Sequence, residues 1–259
     1  MNVIFTPDFY YAVLGVMAVL AVIVFIALQR LNAPYGINYS SSWGPSRPNR
    51  PGWIVMEAPA FFAMLLLWLT SPRAAQTAPA VMASLYLFHY FQRSFIFPLL
   101  IKGRNKMPWA IILMGLIFNV INAYLLGAWL FYIAPPDMYS PSWLASPLFI
   151  LGTLIFLCGM WINLRSDYII RHLRKPGDSG HYIPRGGMFR YVSCANYLGE
   201  LTEWVGFAIL SWSAAGLVFA LWTFANLGPR ARSVHKRYLG EFGDEYKSLR
   251  RKAIIPFLY

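Results

Sequence analysis

The chain has 259 residues, of which 58% are hydrophobic and only 12% are charged, and its formal net charge is +12. Soluble domains carry about a quarter charged residues, and a soluble globule this apolar would expose large hydrophobic patches. The composition therefore argues against a soluble domain and favours a polytopic membrane protein. The positive charge by itself would suit a nucleic acid, so its distribution along the chain has to decide.

Seven apolar runs predict an all-α integral membrane protein with seven transmembrane helices. About 20 apolar residues in a helix cross a hydrocarbon core about 30 Å thick. The last two runs are short, and the connection between them is short and uncharged. The predicted spans are residues 9–28, 52–70, 79–100, 108–133, 146–164, 194–211 and 213–227.

The basic residues lie almost entirely on one side of these spans. Of the 22 lysines and arginines, Arg73 lies on the opposite side and Arg93 lies within a span, while the other 20 share one face. Cytoplasmic loops are enriched in Lys and Arg, so we expect the N-terminus outside and the C-terminus in the cytoplasm. Charge sorted in this way predicts a membrane protein with no nucleic-acid partner.

Five ionisable side chains lie inside the predicted spans, where a charge is costly and usually faces a cavity or a partner. We expect Arg93 to form a buried ion pair with a glutamate and His89 to be a satisfied core residue. Glu57 has no basic neighbour in sequence, so its carboxyl must be paired, hydrogen-bonded or protonated, which favours a functional role. The other two are Glu200 and Glu203.

A polar stripe leaves the fifth span in the segment NLRSDYIIRHLRKPG, residues 163–177. At about 100° per residue, four of its polar side chains share an arc of about 80° on one helix face, and Pro-Gly then ends the helix. These four are Asn163, Asp167, Arg171 and Arg174. In the sixth span, Asn196, Glu200 and Glu203 also share a face. Two polar stripes at one depth predict a cavity that opens to the cytoplasm.

The chemistry of the first stripe is mixed. Asn and Asp suit ribose hydroxyls or an amide, and Arg suits phosphate through its bidentate fork, so the stripe predicts a nucleotide site. The alternatives are a solvated basic face and a surface for anionic lipid headgroups. Neither a G-x-G-x-x-G after a strand nor a P-loop motif occurs. The two cysteines, Cys158 and Cys194, have no metal-binding spacing, and no metal site is expected.

Several segments together resemble the signature of the steroid 5-alpha-reductase family. The most specific series is INLRSDYIIRHLRKPG followed by YIPRGGMFRYVSCANYLGELTEW. Further blocks are EAPAF (57–61), FHYFQRSF (88–95), LGPRARSVHKRYL (227–239) and the ending IIPFLY. The resemblance implies a membrane enzyme that uses NADPH to reduce the Δ4 double bond of 3-oxo-Δ4-steroids to 5-alpha-dihydrosteroids, with hydride transfer to C5.

The resemblance also implies one multi-pass domain over residues 1–259. Residues 1–133 would lie mainly on the substrate side and residues 134–259 mainly on the NADPH side. Glu57 and Tyr90 match the catalytic pair that holds the 3-keto oxygen, where negative charge must be stabilised as hydride adds. Trp53 and Trp204 are expected to pack on the rings of substrate or cofactor.

The cofactor positions follow from the same resemblance. Asn196 and Glu200 are expected near the nicotinamide amide, and the arginines near the phosphates. The matching positions are Arg104, Asn163, Asp167, Arg171, Arg174, Asn196, Glu200, Arg230, His235, Tyr238 and Arg251. The chain departs from the family pattern at Met56, where mammalian reductases have Gln, and at Tyr182, where an Arg is found. Only His235 remains of a usual histidine run.

Three other functions stay open at this point. The first is another membrane NADPH-dependent reductase, acting on a sterol, a polyprenol or an enoyl-CoA. The second is an isoprenylcysteine-type methyltransferase, against which the RKPG–YIPRGG series argues. The third is a non-enzymatic lipid-binding protein, for which the intramembrane charges are excessive. In the favoured interpretation the partners are an apolar enone and membrane lipids, with no required protein partner. The location is then the endoplasmic reticulum of a eukaryote or a bacterial inner membrane.

Overall fold

The computed structural model describes residues 3–31, 39–102, 105–173, 178 and 180–259. Two of the expected cofactor residues, Arg104 and Arg174, lie outside these ranges, as does the predicted helix stop at Pro176-Gly177. All other candidate site residues are described.

Seven long helices make up most of the described chain, and each predicted apolar span coincides with one of them. They are α1 (Pro7–Leu28), α2 (Asn49–Leu69), α3 (Thr77–Phe91), α4 (Trp109–Ala128), α5 (Pro147–Arg171), α6 (Ala195–Ser211) and α7 (Ala214–Ser248). A π-helical turn, Gln92–Ile96, and a last α-helical turn, Phe97–Leu100, extend α3 without a break, and a second π-helical turn, Trp129–Ile133, extends α4. The predicted all-α membrane-type fold is confirmed.

Four of the described helices are long and apolar enough to cross a membrane by length and composition alone. They are Pro7–Leu28, Asn49–Leu69, Trp109–Ile133 and Pro147–Arg171. Between the helices, strands β1 (Ser46–Pro48) and β2 (Lys106–Pro108) form a short antiparallel ribbon in which Arg47 is opposite Met107. This ribbon joins the loops that precede α2 and α4.

Local sequence sets the ends of several helices. Pro147 occupies the first turn of α5, where a missing N–H costs nothing, and the Ser146 side chain accepts from Phe149 N at 3.1 Å. Trp212 adopts the left-handed conformation, with φ of 45°, after α6. Ser213 then caps α7 by accepting from Gly216 N at 3.0 Å. The predicted hairpin between the sixth and seventh helices is therefore present, although α7 is much longer than the predicted span.

The closest helix pair in the fold is α5 against α6, and a seam of glycines makes that approach possible. A Cβ on Gly159 would lie 2.3 Å from Glu203 N, and a Cβ on Gly199 would lie 2.3 Å from Asn163 N. Small residues let helix backbones approach closely in membranes, where packing replaces the hydrophobic effect. The seam therefore fixes α5 and α6 along the stretch that carries both polar stripes.

The other helices pack around this pair in a bundle with one large aromatic-rich core. Helix α2 packs on α4, and α1 packs on α7. Tyr10 Oη donates to Leu125 O at 3.1 Å, and Trp222 Nε1 donates to Met17 O at 2.7 Å. These bonds satisfy buried polar atoms between helices that are distant in sequence.

Two helices continue beyond the predicted spans. Helix α5 runs to Arg171, as the polar stripe predicts, and α7 runs to Ser248 with a break at Gly243, where φ is 52°. The chain then returns to the segment before α6: Ser193 N donates to Lys252 O at 2.8 Å, and Cys194 N donates to Ala253 O at 3.1 Å. We call the residues of 180–194, of α7 beyond Gly228 and of 249–259 the C-terminal lobe.

Candidate active site

Arg93 connects α3 with three other helices. It lies in the π-helical turn at the end of α3, and such turns recur at functional sites. Its Nη1 is 3.7 Å from Asp167 Oδ2 of α5, and its Nη2 is 3.5 Å from Glu200 Oε2 of α6. Its guanidinium carbon is 4.7 Å from the centroid of the Trp53 ring in α2. The predicted ion pair with a glutamate is confirmed, and Asp167 is a second acidic partner.

Glu57 and Tyr90 meet on a side chain that the sequence analysis did not single out, Asn119 of α4. Tyr90 Oη donates to Asn119 Oδ1 at 3.2 Å, and Asn119 Nδ2 donates to Glu57 Oε2 at 3.1 Å. Tyr90 is 3% exposed and Asn119 is 4% exposed, whereas Glu57 is partly exposed. The two expected catalytic groups are thus separated by one amide.

His89 and Glu203 form a second buried pair beside Tyr90. His89 Nδ1 is 2.8 Å from Glu203 Oε1, so the histidine is a satisfied core residue, as expected. The Trp204 ring packs on both neighbours, at 4.6 Å from the His89 ring and 6.0 Å from the Tyr90 ring. Trp204 is 1% exposed, so in this arrangement it supports Tyr90 from within the core.

The two polar stripes of α5 and α6 face each other. Asn163 Nδ2 donates to Asn196 O at 2.9 Å, and Asn196 Nδ2 donates to Asp167 Oδ1 at 3.3 Å. Arg171 is the last residue of α5. The α5 stripe therefore begins at the buried Asn163 and ends at the helix terminus beside the C-terminal lobe.

The residues of the preceding paragraphs that lie inside the helix bundle form one set rich in carboxyl side chains, which we call the inner cluster. Its members are Trp53, Glu57, His89, Tyr90, Arg93, Asn119, Asn163, Asp167, Asn196, Glu200 and Glu203. Four of them are carboxyl groups, and only the histidine and the arginine can carry positive charge. Unbalanced buried charge is costly at membrane depth, so the cluster favours keeping some of its carboxyls neutral.

A hydrogen-bonded network in the C-terminal lobe holds His235. Tyr246 Oη donates to Ser193 Oγ at 2.6 Å, and Ser193 Oγ donates to Lys252 O at 3.0 Å. Since the serine proton is thereby used, His235 Nδ1, which lies 2.6 Å from Ser193 Oγ, must be the donor, and Nε2 is left as an acceptor. Burial, followed by the positive charge of Lys252, lowers the pKa of His235, which favours the neutral ring.

Arg251 is the most buried cation of the C-terminal lobe among the described residues. Its Nη1 donates to Pro184 O at 2.9 Å, and its guanidinium carbon is 5.7 Å from the Tyr246 ring. Its Nε is buried and has no hydrogen-bond partner. The Tyr238 ring is 5.2 Å from that of Tyr246, and Arg230 lies 5.8 Å from the Tyr197 ring. The lobe thus offers guanidinium donors suited to phosphate.

Comparison with known proteins identifies the class of protein to which this fold and site belong. Residues 105–259 match the family model described as 3-oxo-5-alpha-steroid 4-dehydrogenase. The chain is 43% identical over 243 residues to 3-oxo-5-alpha-steroid 4-dehydrogenase 1 of Mus musculus, with 92% of each chain covered. It is 40% identical over 238 residues to the Homo sapiens protein of that name, covering 91% of this chain and 90% of the other. It is also 39% identical over 240 residues to steroid 5-alpha-reductase DET2 of Arabidopsis thaliana, with 90% of each covered.

The chain therefore belongs to the steroid 5-alpha-reductase family and is an oxidoreductase that acts on CH–CH groups. The resemblance drawn from its motifs is confirmed. The methyltransferase and the non-enzymatic alternatives are set aside by this assignment.

Asn119 is the main site residue that sequence reasoning missed. Its signal is present in the sequence, because a span whose other residues are almost all apolar contains two asparagines, Asn119 and Asn122. Neither asparagine carries a charge, so neither stands out inside an apolar span as Glu57 and Arg93 do. Asp167 was assigned to the cofactor stripe, and its ion pair with Arg93 could not be anticipated from sequence separation alone.

Proposed function

We propose that this protein reduces the Δ4 double bond of 3-oxo-Δ4-steroids to 5-alpha-dihydrosteroids, using NADPH and hydride transfer to C5. The observation that carries the proposal is the joint placement of Glu57 and Tyr90 on Asn119, next to the polar face that α5 and α6 share. Family membership supports the reaction class. The residue roles are those that the resemblance of the motifs implies, and the geometry and the chemistry of an enone support them.

At the substrate end, Tyr90 and Glu57 would hold the 3-keto oxygen. A conjugated enone accepts hydride at its β-carbon only if the negative charge that develops on the carbonyl oxygen is stabilised. A tyrosine hydroxyl and a neutral carboxyl can both donate to that oxygen. The acidic excess of the inner cluster supports a neutral Glu57. The Trp53 ring, held beneath Arg93, would offer an apolar wall for the steroid.

At the cofactor end, the residues present fit a phosphorylated dinucleotide. The amides of the buried Asn163 and the partly buried Asn196, with Asp167 and Glu200, suit an amide and ribose hydroxyls. The arginines at the outer end suit phosphates, and Arg251 Nε is a buried donor without a partner. His235 Nε2 and Tyr238 would serve ribose or phosphate groups, and Arg104, Arg171, Arg174 and Arg230 would complete the phosphate side. When bound, NADPH supplies the reducing equivalent.

For the membrane arrangement we propose that all seven helices cross, with the N-terminus outside and the C-terminus cytoplasmic. The distribution of Lys and Arg supports this orientation. The chain is then one domain, with residues 1–133 mainly on the substrate side and residues 134–259 mainly on the NADPH side. The host membrane would be the endoplasmic reticulum or a bacterial inner membrane.

The test is an assay of the detergent-solubilised protein with NADPH and testosterone or progesterone, with the product analysed by mass spectrometry. We expect a product two mass units heavier and, with NADPH deuterated at the transferred position, deuterium at C5. Tyr90→Phe should reduce kcat by about 100-fold or more, because the oxyanion loses a donor. NADPH affinity should stay near that of the wild type.

Two results would refute parts of the proposal. If NADPH binds and neither steroid is reduced, the substrate assignment is wrong, and sterol, polyprenol and enoyl-CoA substrates become the next to assay. Glu57→Gln keeps the shape of the side chain and can still donate, so it should retain more activity than Glu57→Leu. Full activity of both Tyr90→Phe and Glu57→Leu would refute the assigned mechanism while leaving the reaction class intact.

A further inference from the structure

Asn119 uses both ends of its amide at the junction of three helices. Besides its bond to Glu57, its Nδ2 donates to the backbone carbonyl of Met56 at 2.8 Å, and its Oδ1 accepts from Tyr90. Glu57 and Met56 belong to α2, Tyr90 to α3 and Asn119 to α4. A single side chain therefore fixes two groups that lie on different helices.

The orientation of this amide follows from its neighbours. The Met56 carbonyl can only accept a hydrogen bond, so the nitrogen of Asn119 must face it. The oxygen then faces Tyr90, whose hydroxyl has one proton to give. At 3.2 Å this O–H···O bond is longer than the usual 2.7–2.8 Å, so Tyr90 can leave it at low cost when a carbonyl arrives.

The junction is closely packed on the α2 side. The only polar atom in the Met56 side chain is a thioether sulfur, which is a weak acceptor. The side chain packs tightly against Gly115 of α4, where an added Cβ would lie 2.4 Å from Met56 Cγ. Among the described residues, no hydrogen bond joins Glu57 directly to Tyr90. The amide that relates the two groups to each other therefore comes from α4.

We propose that Asn119 is a positioning residue for steroid reduction, which holds the Glu57 carboxyl and the Tyr90 hydroxyl in the relative arrangement that grips one carbonyl oxygen. The inference rests on the proposed function. In this role Asn119 acts through Glu57 and Tyr90 and not on the reacting atoms. It acts by fixing the two groups that do, since a misplaced donor loses much of its effect on a transition state.

The chain contains a matched control for this proposal. Asn122 is on the same helix, is 3% exposed and has its Nδ2 buried without a hydrogen-bond partner. It has no hydrogen bond to Glu57 or Tyr90 among the described residues. Leucine is similar in size to asparagine but has no amide. Both substitutions remove one amide from neighbouring turns of α4, so a comparison of the two variants separates positioning from general effects on packing.

The experiment compares steady-state kinetics and Tm of the NADPH-dependent enzyme with those of Asn119→Leu, Asn119→Asp and Asn122→Leu. Asn119→Leu should lower kcat by about 10- to 100-fold, the range expected for lost hydrogen bonds that act on the transition state, with an unchanged KM for NADPH. Asn122→Leu should stay within about twofold of wild type. Asn119→Asp has the same shape but donates only when protonated, so its kcat should recover as the pH falls.

The outcomes are separable. If the wild type reduces no steroid, the proposed function fails. If the wild type is active and Asn119→Leu turns over within twofold of it, the positioning role is refuted. The role is also refuted if Asn119→Asp shows the pH profile of the wild type. Should Asn119→Leu fail to fold, the aspartate variant still decides, because its pH-dependent recovery needs a folded site.

Discussion

The inner cluster and the C-terminal lobe both contain charged and aromatic side chains, but the cluster is rich in carboxyls, the lobe is rich in basic residues, and the two hold these groups differently. In the inner cluster, contacts between side chains on five helices determine each position, as with Arg93 between Asp167 and Glu200. In the lobe, backbone hydrogen bonds between residues 191–194 and 252–253 carry the framework, and Arg251 keeps an unsatisfied buried Nε. Under the proposed function, the inner cluster is a preorganised reaction end and the C-terminal lobe is the end that holds the phosphates of the cofactor.

We expect the largest effect on stability and activity from a substitution at the seam between α5 and α6. Gly159→Ala places a Cβ only 2.3 Å from the backbone nitrogen of Glu203, so the two helices must separate. We expect a loss of about 1–3 kcal/mol in the free energy of unfolding and loss of activity, since both polar stripes depend on this approach. Thermal unfolding of the detergent-solubilised protein measures the first effect.

Gly15 provides the control, because it lies within α1 and has nothing within 4 Å of an added Cβ. Gly15→Ala should leave activity unchanged and shift stability by no more than about 1 kcal/mol, in the stabilising direction expected for alanine in a helix. Equal Tm values for Gly159→Ala and Gly15→Ala would show that α5 and α6 leave room for a methyl group at Gly159.

The second prediction concerns the C-terminal lobe. Arg251→Ala should raise the KM for NADPH by about tenfold or more and change kcat little, because the proposed role of this guanidinium is to bind a cofactor phosphate and not to act on the reacting carbon. Arg232→Ala is the control, since Arg232 is exposed and bonds Gln29 at 3.2 Å. A fall in kcat at saturating NADPH, with KM unchanged, would contradict the division between the two regions.

The smallest effect should come from His235. Its pKa is lowered in the folded chain by burial and by Lys252, so the unfolded chain binds a proton first as the pH falls below about 6.5. The contribution of His235 to the free energy of unfolding is therefore fully present above that pH. It is lost progressively as the pH falls toward the pKa of His235 in the folded chain. Without NADPH, the drop in Tm between pH 7.5 and 5.5 should be smaller in His235→Gln than in the wild type.

If His235→Gln has the same slope of Tm against pH as the wild type, the pH response of the C-terminal lobe does not pass through His235.

Much of the site was accessible from sequence because charge inside an apolar span is conspicuous. Glu57, His89 and Arg93 could be singled out individually, and helical periodicity placed Asn163 and Asp167 on one face. Contacts between helices could not be obtained in this way. The pairing of Arg93 with both Asp167 and Glu200 depends on the packing of three helices, and the role of Asn119 depends on which way one amide points.

The sequence by itself determined the number of long helices, the approximate place of each along the chain and the family. These features depend on local apolarity, on periodicity and on motifs, each of which one segment carries alone. Tertiary structure decided which helices touch. Gly159 and Gly199 bring α5 and α6 into backbone contact, and the return of the chain after α7 brings Lys252 to Ser193. Such contacts join residues far apart in the chain, and only the packed bundle fixes the distances between them.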